Sequence, residues 1–96
     1  MSDGPNPSTL ERIWQDILYE RVRQENIHGG SLTRAVIDDD YGFALAVLTE
    51  EVGEVAQALL APLASDDGNV REELIQVAAV AVAWLQALEH GGPGNG

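Results

Sequence analysis

Apolar residues recur every three or four positions along three stretches of this chain, and each stretch reads as an amphipathic helix. The first carries Leu10, Ile13, Trp14, Ile17, Leu18 and Val22 on one face and runs to about Glu25. It opens on a capping-box pattern, Ser8 followed three residues later by Glu11. The second starts at Asp39 or Asp40, whose side chains suit a helix cap, and stops at Pro62, which cannot continue a helix. The third starts on another capping pattern, Asn69 with Glu72, and ends near His90, where Gly91 is placed as a C-terminal cap.

Between these helices, NIHGGSLTRAVIDDD at 26–40 reads as a long connection broken by Gly29 and Gly30, and SDDG at 65–68 as a turn. Residues 1–7 and 91–96 are expected to be flexible ends around one domain at 8–90. No stretch alternates as a strand would. The expected fold is all-α, a small bundle of about three helices.

One segment does not fit a self-sufficient bundle. VAAVAVAWL at 77–85 is apolar on every side of its helix, so it requires cover all round. Three helices of this length leave part of it bare. The simplest cover is a second copy of the chain, which predicts a homodimer or a homotetramer.

Composition narrows the partners. The chain has 96 residues, with 16 acidic against 5 basic residues and a formal charge of −11, and every base is arginine. Such a balance repels nucleic acid phosphates and anionic membranes and favours divalent cations. Cysteine is absent, which excludes disulfides, thiol catalysis and cysteine-bound zinc. The opening MSDGPNPS has no apolar signal-peptide core. The longest apolar run is nine residues, against about twenty needed to span a bilayer. The expectation is a cytoplasmic protein with neither nucleic acid nor membrane as partner.

The acids of the second and third helices stand where a core should be. Helical steps from Glu51 reach Ala44, Val47, Leu48, Val55 and Ala58, so Glu51 lies within the apolar stripe. Glu54 borders it, between Val47 and Ala58. On the third helix Glu73 shares a stripe with Val70, Val77, Val80 and Trp84, and Gln76 follows one turn later. A carboxylate facing a core is costly unless something positive meets it. If the two helices pack antiparallel, three carboxylates and an amide oxygen surround one small space. An all-oxygen set of this kind suits magnesium or manganese. The competing reading is a solvated acidic face.

Glu50-Glu51-Val52-Gly53-Glu54, then eighteen residues, then Glu73-Leu74-Ile75-Gln76 resembles the EExxE…ExxD signature of the all-α nucleoside triphosphate pyrophosphohydrolases, MazG-like proteins among them. The segments at 18–29, 45–60 and 71–88 also resemble successive parts of small MazG-like chains. The resemblance implies a MazG-like fold and magnesium (or manganese) held by Glu51, Glu54 and Glu73, with Glu50 supporting the site or activating water. It implies hydrolysis of a nucleoside triphosphate to a monophosphate and pyrophosphate. Gln76 stands where the signature has aspartate, so one negative charge is missing. Arg21, Arg23 and Arg71 are candidates for binding phosphate, since a guanidinium fork holds two oxygens at once. Each is also placed to pair with Glu20, Glu25 or Glu72.

Trp14 and Trp84 fit helix stripes and read as core, His28 as a loop residue, and His90 as a partner of its helix C-terminus. Asp38, Asp39 and Asp40 read as a helix start, and Gly29-Gly30 lacks the lysine of a phosphate loop. Three functions stay open: the metal-dependent pyrophosphohydrolase, a relative that binds metal or nucleotide without turnover, and a helical assembly module with solvated acids.

Overall fold

The computed structural model describes residues 4–60 and 67–91. Among these there are four helices and no strand: α1 (Pro7–His28), α2 (Ser31–Ile37), α3 (Tyr41–Leu60) and α4 (Asp67–Gly91). The fold is all-α, as the periodicity requires. Pro62 lies outside the described residues, so the expected stop of the second helix is not described.

The ends differ from expectation in instructive ways. The N-cap of α1 is Asn6, not Ser8; its side chain accepts a hydrogen bond from the Thr9 N–H at 3.1 Å. Pro7 then occupies the first turn, where a missing N–H costs nothing. α1 also runs past Glu25 to His28, and α4 begins at Asp67, two residues before Asn69. Of the turn expected at 65–68, Asp67 and Gly68 are helical and the other two residues are not described. Asp40 behaves as expected of a cap, accepting from the Phe43 N–H at 3.2 Å.

The connection at 26–40 is a correction. Gly29 (φ 61°) ends α1 in the left-handed conformation and its N–H donates to the Glu25 carbonyl; Gly30 (φ 76°) follows in the same region. Two successive left-handed residues are cheap only for glycine, and they turn the chain straight into α2. Ala35 and Val36 of α2 are buried, and Val36 joins Ala44 and Ala87 in a cluster flanked by Leu32 and Trp84.

α4 is the central helix and packs against each of the other three. Ala44 and Ala87 share one core cluster, and the Tyr41 and Trp84 rings lie 6.0 Å apart, so early α3 faces late α4. α3 and α4 are therefore antiparallel.

The core of one chain is thin. Five of its eight buried apolar residues are alanine (Ala35, Ala44, Ala79, Ala83 and Ala87), and sixteen large apolar side chains remain exposed among the described residues. Within 77–85 only Ala79, Val80 and Ala83 are buried, while Leu85 is 62% exposed. Trp14 is also a correction: it is 48% exposed and not core. α1 turns Ile13, Ile17, Glu20 and Gln24 inward and leaves Leu10, Trp14, Leu18 and Val22 on its outer side.

Candidate metal centre

Glu51 and Glu54 are one turn apart on α3, and the antiparallel register brings Glu73 of α4 opposite them. One carboxylate oxygen from each of the three lies within 4.8 Å of the others. An octahedral ion with bonds of about 2.1 Å holds neighbouring and opposite ligand oxygens about 3.0 and 4.2 Å apart, so the trio already has nearly that span.

The surroundings are poor in compensation. Glu51 Oε1 and Glu73 Oε2 are buried without a hydrogen-bond partner. Loss of hydration pushes the Glu51 carboxyl up from its ordinary range, and Glu54, Glu20 and Glu50 add to the rise while His28 opposes it. The Glu73 carboxyl is pushed up by the same loss of hydration, with its neighbour Glu54 the next cause and Glu51 and Glu72 contributing. A proton on Glu73 thus relieves the crowding when nothing else positive is there.

These observations fit a hard divalent cation. The donors are all carboxylate oxygens, they converge from two rigid helices, and two of their oxygens have no use within the chain. An ion of this type would take Glu51, Glu54 and Glu73 as ligands.

Glu50 is exposed and lines a cleft of about 320 Å³ together with Glu51, Glu20, Arg21, Arg23 and His28. Gln76 lines a different cleft, with Glu20, Arg23 and Glu72. The three candidate arginines are not equivalent. Arg71 pairs with Asp16 at 2.8 Å and does not line the Glu51 cleft. Arg21 donates through NH2 to Glu25 (3.2 Å) and Gln86 (3.3 Å), its Nε is buried without a partner, and its side chain is only 13% exposed. Arg23 forks onto Glu20, with Nε donating to Oε1 at 2.9 Å and NH2 to Oε2 at 2.8 Å.

Sequence reasoning missed two features here. Glu20 is a buried acid at 8% exposure, and its i,i+3 spacing to Arg23 signals a pair but not its burial. The cleft itself depends on α2, which supplies Ser31 and Leu32 to its lining. A comparison with protein-family models, curated proteins and solved structures finds no match to this chain.

Proposed function

We propose that this protein is a metal-dependent nucleoside triphosphate pyrophosphohydrolase of the MazG-like kind. The observation that carries the reading is the meeting of Glu51, Glu54 and Glu73 across α3 and α4, with buried oxygens of Glu51 and Glu73 left unpartnered. Their type and spacing along the chain are those of the signature the sequence resembles, with Gln76 as the departure.

In this reading the three glutamates would hold magnesium or manganese, which would supply neutralisation of phosphate oxygens and a lower pKa for the attacking water. Glu50, exposed on the cleft beside Glu51, takes the proton from that water. The water oxygen bonds to phosphorus, the α–β phosphoanhydride breaks, and a monophosphate and pyrophosphate leave. The high negative charge of the chain makes the ion necessary for bringing in an anionic substrate.

The same reading includes a homodimer or homotetramer, because one chain leaves so much of its apolar surface uncovered. It places the protein in the cytoplasm, without nucleic acid or membrane partners. Among the described residues no helix is long and apolar enough to cross a membrane. One observation favours a second reading, metal and nucleotide binding with little turnover: Gln76 offers a neutral oxygen where the signature has a charge.

The test is a screen of ribo- and deoxyribonucleoside triphosphates with magnesium and with manganese, following pyrophosphate. Release on at least one nucleotide supports the enzyme. Saturable nucleotide binding without release supports the second reading, and no metal response of any kind overturns both.

A further inference from the structure

Glu20 is the one buried polar or charged residue among the described residues, and it is buried against an arginine that is not. Its side chain is 11% exposed while that of Arg23 is 47% exposed. An ordinary solvated i,i+3 pair leaves both partners in water and is worth little. Here the carboxylate is fixed inside and the guanidinium is held at the surface of two clefts, each of which both residues line.

The fork geometry fixes what Arg23 has left to give. A guanidinium has five N–H donors, and the two bonds to Glu20 use Nε–H and one N–H of NH2. The remaining donors, both on NH1 and one on NH2, stay available in a plane set by a buried anchor. A preset plane suits the oxygens of a phosphate chain, because little side-chain freedom is lost on binding. Arg21 and Arg71 lack this combination, being tied to Glu25 and Gln86 or turned to Asp16.

We propose that Arg23, held in place by Glu20, is the residue that grips the phosphate chain of a ligand in the Glu51 cleft, and that Glu20 acts as its positioning residue. The inference rests on the pyrophosphohydrolase reading, in that the cleft beside Glu51 is taken as the place where a metal-bound oligophosphate lies. The hydrogen bonds and charge of Glu20 push the Arg23 guanidinium further up, with a smaller contribution from Glu51.

The experiment uses magnesium tripolyphosphate as probe, in excess magnesium, and measures its affinity calorimetrically for the full chain. Arg23→Gln should weaken binding roughly tenfold or more, the scale of losing hydrogen bonds between charged groups. Arg34→Gln removes the same charge from an exposed site on α2 and should stay within about twofold of the parent, since exposed charges act weakly at a distance. Glu20→Gln should weaken binding roughly threefold to tenfold, and should add nothing further in an Arg23→Gln background, as expected of a residue acting through another. Manganese binding without phosphate, read by electron paramagnetic resonance, should change far less than probe binding in Arg23→Gln, whose guanidinium is not a metal ligand.

Four outcomes would overturn the proposal: a parent that does not bind the probe, Arg23→Gln binding within about twofold of the parent, Glu20→Gln binding as tightly or more tightly, or equal losses for Arg34→Gln. Arg23 is half exposed, so its variant tests the idea even if Glu20→Gln fails to fold. Arg23-dependent probe binding without pyrophosphate release from any nucleotide would refute the enzyme reading and leave this one standing. Release unaffected by Arg23→Gln would do the reverse.

Discussion

Glu51 and Glu73 approach each other from antiparallel helices, a carboxylate oxygen of each within 4.8 Å of the other, and each residue also has a buried oxygen without a hydrogen-bond partner. Groups of that kind cost stability, and a positive partner, either a proton or a bound cation, would offset the cost. Everything expected of the site follows from supplying or withholding that partner.

Adding the partner should stabilise the fold. At an ion concentration about a hundred times the dissociation constant, binding contributes about 2.7 kcal/mol, which raises the melting temperature of a domain this size by roughly 10–20 °C. Glu51→Gln and Glu73→Gln should each abolish most of the rise seen with magnesium or manganese. Differential scanning calorimetry of the three proteins, with and without metal, checks this. Equal gains in all three would remove the glutamates from the list of ligands.

The metal-free protein should respond to pH in the opposite direction from the metal-loaded one. Both carboxyls are raised above their ordinary value of 4.5, chiefly by loss of hydration. The folded state therefore holds these protons to higher pH than the unfolded chain, so stability falls as pH rises from about 4.5 through the raised values and then levels off. With magnesium the trend reverses, because the ion competes with the protons. Melting temperatures in chelator, compared between parent and Glu73→Gln, should show a smaller fall in the variant, where Glu51 alone still contributes.

Much of this site was legible in the sequence, because Glu51, Glu54 and Glu73 interrupt apolar stripes whose period is unmistakable. What surrounds the site was less so. α2 has only seven residues and two buried positions, Ala35 and Val36, too few to set up a periodic signal beside Gly29 and Gly30. Trp14 was misplaced for a different reason. An apolar stripe shows that a face needs cover, not what covers it, and on α1 the chain's own core uses Ile13 and Ile17 and then continues over Glu20.

The uncovered side of α1 therefore makes its own prediction. Trp14, Leu18 and Val22 line a groove with Leu85 of α4, and a second copy should bury it. Light scattering should give at least twice the 10.3 kDa chain mass. Leu18→Glu, which places a charge in that groove, should weaken association by on the order of a hundredfold or more, since a buried unpaired charge costs several kcal/mol. A monodisperse monomer at micromolar concentration would contradict the expected assembly.

Gln76 tests the departure from the signature. Restoring a carboxylate with Gln76→Asp, one turn from Glu73 on α4, should tighten magnesium binding on the order of tenfold. Turnover need not rise with it, because added negative charge also repels a triphosphate. Titration with magnesium, following the melting temperature of parent and variant, measures the first effect. No change in affinity would mean that residue 76 serves its own cleft with Glu20 and Glu72, apart from the trio.

The most direct test of the account is the rate of pyrophosphate release from the best nucleotide as magnesium is raised, for the parent and for Glu73→Gln. The account predicts saturable dependence on the metal in the parent and a loss of roughly a hundredfold or more in the variant, as expected when an ion that stabilises developing charge is displaced. Release that ignores the metal, or that survives intact in Glu73→Gln, would contradict it.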